Sequence, residues 1–343
     1  MRALVTGATG MLGARIVERL IEGGWTARAL VRDRSKASWL EALGAETAQG
    51  DLTDPASQRA AVAGCDVVFN AAAAIGSGSD HEAYRRVNVT GTGHVVAAAG
   101  AAGARLVHVS STSVFGRHRY HCAPTDESVP LPGLPAADAY GRSKQEAERV
   151  VLDAHTRGRV WAAVVRPPVM YGPRDRQFAP RLGPVLERGF FPLIGGGRTT
   201  LTLVHADAVA DGAIRAAVTD RAAGRVYHLT NDFDVTVAEL VRFASRGLGR
   251  RVRAPHVPGV VGRVAFRALA IALVAGGRRD LAPHAEGLLE MLTRDNPFTS
   301  DRARRELSWT PAIRPEEGLA GAFRWWKENG RFPAASDAEK GGA

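Results

Sequence analysis

Tyr140 and Lys144 are the residues whose types and spacing speak most directly of chemistry. They stand four apart in Tyr140-Gly141-Arg142-Ser143-Lys144, about one helical turn, which puts both side chains on one face. An ammonium beside a phenol favours phenolate. The pair therefore predicts a tyrosine pKa below the usual value of about 10 and proton transfer near neutral pH. The run Val107-His108-Val109-Ser110-Ser111-Thr112-Ser113 brings hydroxyls to the end of an apolar strand. One of them is placed to polarise a carbonyl, while others cap the following turn; spacing alone does not distinguish them.

A second reactant has its own site near the N-terminus. Thr6-Gly7-Ala8-Thr9-Gly10-Met11-Leu12-Gly13 follows a β-rich run and opens a helical pattern. There Gly7 allows a tight turn, Gly10 lets backbone approach a diphosphate, and Gly13 lets helix and strand pack closely. With Thr9, Met11 and Leu12 they form a cradle at the positive end of a helix. The predicted ligand is a nicotinamide dinucleotide.

The end of the second strand bears on which one. NAD-selective sites carry a carboxylate there for the ribose 2′-hydroxyl. This chain reads Ala29-Leu30-Val31-Arg32-Asp33-Arg34. Arg32, assisted by Arg34 or Lys36, suits a 2′-phosphate, so NADP(H) is favoured over NAD(H). A one-residue shift would return Asp33 to the ribose, which keeps NAD(H) open. In Gly50-Asp51-Leu52, closing the third strand, Asp51 is placed to accept from the adenine amino group and Leu52 to pack on the ring. The other reading has Asp51 starting a helix. Ala71, Ala72 and Ala73 follow Asn70 at the fourth strand's end, small enough for a dinucleotide to lie across the sheet edge.

These residues need a scaffold, and the sequence supplies one. Short β-rich runs at 3–5, 27–31, 67–69, 106–109 and 160–165 alternate with helical segments such as the one bearing Leu12, Ile16, Val17 and Leu20. That alternation predicts an α/β fold, a Rossmann-type doubly wound parallel sheet. After Pro167-Pro168 the pattern becomes irregular, although 204–218 and 226–229 still read as a helix and strand of the sheet. The expected dinucleotide-binding domain is 1–168 plus 200–231. A smaller, discontinuous substrate domain takes 169–199 plus 232–330, and 331–343 reads as a flexible tail.

At 343 residues and 45% apolar, the chain fills such a core. Its formal charge of +10 does not imply nucleic acid, because the arginines are scattered and no basic run is interleaved with aromatics. Cys65 and Cys122 have no metal-ligand spacing, so no metal site is expected and a reducing compartment is. A strand beginning almost at Met1 leaves no signal peptide, and the expected location is cytoplasmic. The most apolar stretch, 257–277, is broken by Arg263 and Arg267, and its uncharged part is too short to span a bilayer. It reads as an amphipathic helix facing the substrate cleft, with peripheral membrane contact through its basic flanks as the lesser alternative.

Seven motifs recur together: Thr6-Gly7-x-x-Gly10-x-x-Gly13, Gly50-Asp51-Leu52, Asn88-Val89-x-Gly91-Thr92, Ser110-Ser111-x-x-Val114-Phe115-Gly116, Tyr140-x-x-x-Lys144, Arg166-Pro167-Pro168-x-x-Tyr171-Gly172-Pro173 and Val204-His205-x-Asp207. In this combination the chain resembles the extended short-chain dehydrogenases/reductases, which include nucleotide-sugar epimerases, dihydroflavonol-type reductases and 3β-hydroxysteroid dehydrogenases. The likeness runs from Met1 to about Lys327. By position it implies that Ser111 polarises the carbonyl, Tyr140 is the general acid/base, and Lys144 is its electrostatic and ribose-binding partner. It implies that Asn88 has a positioning role near the cofactor, a purely structural hydrogen bond being the alternative. Pro167, Pro168 and Val169 would line the nicotinamide, and a homodimer would form through helices around 80–102 and 138–155. Two departures are Asn70, where many relatives carry histidine, and Phe115 in place of a common tyrosine.

Two reactions are open. One is net hydride transfer between NADP(H) and a ketone or secondary alcohol. The other is a nucleotide-sugar epimerase cycling bound NAD(P). Val31-Arg32 favours the first, and no Asp-Glu pair stands near Ser111 for elimination chemistry. Phe190-Phe191-Pro192-Leu193-Ile194-Gly195-Gly196-Gly197 and the 257–276 stretch imply an apolar small-molecule substrate of steroid, polyketide or aryl type. Arg174, Arg176 and Arg181 are the candidates for a sugar-nucleotide diphosphate. A regulatory protein without turnover is disfavoured because Tyr140 and Lys144 are both kept.

Overall fold

The computed structural model describes residues 1–75, 81–116, 124–230, 233–275, 289 and 292–329. The tail expected at 331–343 and Cys122 lie outside the described residues. The first half runs β1 (Arg2–Thr6), α1 (Met11–Glu22), β2 (Thr26–Val31), α2 (Ser38–Ala42), β3 (Glu46–Gln49), α3 (Pro55–Val62), β4 (Val67–Asn70), α4 (His81–Tyr84), α5 (Gly91–Ala101), β5 (Arg105–Val109), α6 (Ala139–Thr156) and β6 (Ala162–Arg166). There follow β7 (Val169–Tyr171), α7 (Phe178–Glu187), β8 (Leu193–Ile194), β9 (Leu203–His205), α8 (Ala206–Val218), β10 (Val226–His228), α9 (Val237–Leu248), β11 (His256–Val257) and α10 (Gly259–Ala275). Helices Asp301–Leu307 and Pro315–Glu328 come last among the described elements.

Seven strands pair in parallel in the order β3-β2-β1-β4-β5-β6-β10. Alternate strand residues feed two cores. Ala3, Val5, Phe69, Val107 and Val165 pack with α1 and α8 on one face. Leu4, Val68, Leu106 and Val164 pack with α3, α5 and α6 on the other. Strands covered on both faces must be apolar throughout, and β6 is buried at every position. The strand order reverses between β1 and β4, which opens a crevice at the carboxyl ends of the strands.

A separate core joins α7, α9 and Pro315–Glu328 through Phe178, Leu186, Leu240, Phe243, Phe323 and Trp326. A Thr236–Glu239 capping box starts α9, and left-handed Gly249 ends it. Ala303, Leu307 and Trp309 belong instead to the sheet's core, where Trp309 Nε1 donates to the Ala208 carbonyl at 2.8 Å. The sequence boundary that placed 301–309 with the substrate segment does not follow this packing.

The apolar stretch 257–277 does form a helix, α10. Gly262 sits against Ile194, and among the described side chains of α10 Val260, Val261, Val264 and Ile271 are exposed. No helix among the described residues is long and apolar enough to cross a membrane.

Candidate active site

The glycine turn is built as its residue types require. Gly7 has φ +67°, and a Cβ there would stand 2.8 Å from the Ala72 Cα. A Cβ on Gly13 would collide with the Gly7 carbonyl, so helix and strand approach only because both positions are glycine. Gly10 donates to that carbonyl at 2.9 Å and caps α1 without any side-chain hydrogen bond. With no acidic residue in the first turn, the N–H groups of Met11, Leu12 and Gly13 have no acceptor inside the helix. Thr9 is exposed beside them, and Leu12 is rooted in the core. The cradle fits a diphosphate: uncompensated donors, a positive helix end, and no side chain filling the approach.

The crevice wall is held by a polar network inside the sheet. Thr6 Oγ1 donates to Asn70 Oδ1 at 2.8 Å and accepts from the Ala72 N–H at 3.1 Å. Asn70 Nδ2 reaches Thr92 Oγ1 and His108 Nδ1, each at 3.2 Å. Burial, and then the Lys144 charge, hold His108 well below its usual pKa, so its neutral ring accepts from Asn70. Asn70 thus ties β1, β4, β5 and α5 together and sets the path of Ala71, Ala72 and Ala73.

At the end of β2, Arg32 is exposed; its carbonyl accepts from Gln49 Nε2 at 3.4 Å, while its side chain makes no hydrogen bond or ion pair among the described residues. Asp33 is differently placed. Its Oδ1 accepts from the Ser35 N–H at 3.0 Å and the Ser35 hydroxyl at 2.6 Å, and these bonds hold its pKa below the usual carboxylate range. Arg34 pairs with Glu41 at 3.5 Å and Lys36 with Asp33 at 3.6 Å. Asp51 does not start a helix; Asp54 caps α3. Asp51 Oδ1 accepts from the Thr53 N–H and hydroxyl at 2.8 and 2.7 Å. Although burial opposes it, those bonds and the Arg32 and Arg86 charges hold the Asp51 carboxyl low. Leu52 is buried against Gly91 in the α3–α5 core.

Ser111, Tyr140 and Lys144 converge on the carboxyl end of β5. Ser111 caps the turn Thr112–Phe115, accepting from the Ser113 N–H at 3.1 Å and donating to Ser113 Oγ at 3.0 Å. Tyr140 lies in the first turn of α6, edge-on to Tyr84 with ring centroids 5.9 Å apart. Lys144 Nζ donates to the Val109 carbonyl at 3.0 Å and is only 3% exposed. That is its one hydrogen bond among the described residues, so the ammonium keeps donors for ribose hydroxyls. The predicted fall in the Tyr140 pKa is corrected. Burial pushes the phenol up to about 12, and the hydrogen bond with Ser111 offsets this only in part. Burial also pushes Lys144 down to about 8, opposed by the Glu148 charge. The Tyr84 and Asp138 charges push the phenol in the same direction as burial, and the four-residue spacing reports neither the desolvation nor these neighbours.

Asn88 works through the backbone. It lies in the π-helical segment Arg85–Thr90, a distortion common at functional sites. Its Oδ1 accepts from the Ala74 N–H at 2.7 Å, and its Nδ2 donates to the Ala74 carbonyl at 3.2 Å and to Ser143 Oγ at 3.0 Å. Ser143 Oγ in turn donates to the Tyr140 carbonyl at 2.8 Å. One side chain therefore fixes both the crevice wall and the turn that bears Tyr140. Pro167 and Pro168 are buried, the Pro167 carbonyl accepting from the Thr112 N–H at 3.0 Å, and Val169 is exposed at the sheet's carboxyl edge.

Sequence reasoning missed two supports. Glu148, one turn past Lys144, accepts from Arg166 through both oxygens at 2.9 and 2.6 Å in a buried pair. Asp207, 3% exposed at its side chain, accepts from Arg15 and Arg19, with contacts of 2.6 to 2.8 Å, and clamps the cofactor helix to α8. Arg174, considered for a sugar-nucleotide diphosphate, is engaged instead with Glu18 at 2.7 Å and stacked 4.5 Å over Trp39. The signals for these supports were the i, i+4 spacing of Glu148 from Lys144 and the place of Asp207 in Val204-His205-x-Asp207; neither named the arginine partners.

The model of the NAD-dependent epimerase/dehydratase family matches residues 3–230. The chain belongs to that family. Among its relatives in the family, a protein of Stigmatella aurantiaca named 4-hydroxy-2-methyl-3-oxo-4-farnesyl-3,4-dihydroquinoline-1-oxide ketoreductase is 34% identical over 323 residues, covering 93% of this chain and 95% of that one. A 2-alkyl-3-oxoalkanoate reductase of Stenotrophomonas maltophilia is 32% identical over 330 residues, covering 93% and 97%. The solved UDP-glucuronic acid 4-epimerase of Bacillus cereus in complex with NAD superposes with a TM-score of 0.73 at 18% identity, covering 96% and 99%. That last likeness shows the shared epimerase/dehydratase fold.

Proposed function

We propose that the protein is an NADPH-dependent reductase of apolar ketones, of the 2-alkyl-3-oxo kind named in its relatives. The observation that carries this reading is the intact Ser111, Tyr140 and Lys144 set at the mouth of the dinucleotide crevice. Two relatives at 34% and 32% identity, both named for ketone reduction, support it. Bound nicotinamide supplies the hydride. Ser111 and Tyr140 hold the carbonyl oxygen, Tyr140 donates the proton that this oxygen takes up, and Lys144 orients the ribose. Ile75 and Val169, both exposed apolar residues following β4 and β6, offer contacts to an aliphatic substrate rather than a sugar.

The choice of NADPH rests on Arg32, unpaired at the end of β2 while Asp33 is committed to Ser35. Arg32→Ala should raise the KM for NADPH about tenfold or more, the loss of a charge-assisted phosphate contact, and leave the KM for NADH nearly unchanged. Equal effects on both would place NAD(H) in the site. The reading also includes a homodimer through α5 and α6. Their outer faces border an open groove with the small residues Gly93, Ala97 and Ala101, which permit close helix approach. A cytoplasmic location accords with the free thiol of Cys65.

A further inference from the structure

Helix α10 presents an unusual surface. Val260 is 64% exposed, Val261 56%, Val264 61% and Ile271 68%, and Ala268 and Ala275 are exposed as well. Their spacing at helical periodicity places all six in a single stripe. Every exposed side chain described on this helix is apolar. Four large apolar side chains exposed along one face of a helix mark an interaction site.

Charge identifies what covers it. From Leu240 to Ala275 the sequence holds seven arginines and no aspartate or glutamate. Arg250, Arg251 and Arg253 are exposed on the segment leading into the helix, and Arg198 is exposed in the loop that meets His256. We infer that α10 lies in the interface of an anionic phospholipid bilayer, its valine and isoleucine stripe among the acyl chains and the surrounding arginines at the headgroups. Apolar burial and attraction to anionic lipid are the two forces that hold such helices. A second copy of the chain is the poorer occupant, because it would bring two arginine-rich surfaces face to face. The helix does not span, in keeping with its 17 residues. For the apolar ketones proposed above, which partition into bilayers, this docking brings enzyme to substrate; the docking stands without that reading.

The test is flotation of the full chain with phosphatidylglycerol/phosphatidylcholine vesicles and with pure phosphatidylcholine vesicles. Binding is expected to the anionic vesicles and to weaken as salt is raised. Val264→Asp with Ile271→Asp should lower the partition coefficient about tenfold or more. Arg251→Glu with Arg253→Glu should lower it on anionic vesicles only. Thermal midpoints and NADPH binding of both variants should match the parent, which separates lost docking from lost folding. Failure of the parent to float with anionic vesicles would overturn the inference, and so would undiminished flotation of the aspartate variant. A parent dimer that the aspartate variant dissociates would assign the face to a second copy and overturn it equally.

Discussion

Tyr140→Phe is expected to lower kcat by about 10²–10⁴-fold, the usual worth of a positioned general acid, with the dissociation constant for NADPH little changed. The substitution removes the phenol and keeps the ring that packs against Tyr84, while the phosphate cradle at Gly7–Gly13 lies on another element. Stopped-flow turnover and fluorescence titration of NADPH separate the two quantities. A variant with parental kcat would remove Tyr140 from the chemistry. The pH profile adds a second reading. Tyr140, near 12, stays protonated through the working range. Lys144, near 8, loses its charge as the pH rises through that value. Ketone reduction should therefore be level on the acid side of 8 and fall above it, and that limb belongs to the lysine.

Glu148→Ala should cost about 3–5 kcal/mol of stability, the typical penalty for removing one partner of a buried ion pair. The side chains of Glu148 and Arg166 are 2% and 6% exposed, and Arg166 Nη1 already has no hydrogen-bond partner among the described residues. Without the carboxylate, the guanidinium keeps only its place 5.4 Å over the Phe115 ring against full desolvation. Chemical denaturation measures the loss, and a cost under about 1 kcal/mol would mean that the pair behaves as a solvated one. Because the Glu148 charge also supports that of Lys144, the alkaline limb should move to lower pH in the surviving enzyme.

The strands and the glycine turn were readable because their causes are local. A parallel strand buried on both faces must be apolar at successive positions, and Gly7, Gly10 and Gly13 answer to turn geometry within eight residues. The supports were not readable, because they are assembled across the chain. Asp207 meets Arg15 and Arg19 over separations of 192 and 188 residues, and Asn70 gathers Thr6, Thr92 and His108 from three other elements. The Tyr140 pKa went the other way for a related reason: spacing places the charges, whereas burial depends on everything packed around them. For α10, periodicity announced a helix with an apolar stripe, expected to face the substrate cleft; Val260, Val261, Val264 and Ile271 on it are exposed, which periodicity does not report.

The central claim is net reduction of an apolar ketone at Ser111, Tyr140 and Lys144. Its most direct test is the stoichiometry of one reaction, in which NADPH oxidation and alcohol formation are followed together with a 2-alkyl-3-oxoalkanoate as substrate. One equivalent of NADPH consumed per equivalent of alcohol is the predicted result. No NADPH consumption with such ketones, together with isomerisation of a nucleotide sugar at constant NADPH, would contradict it.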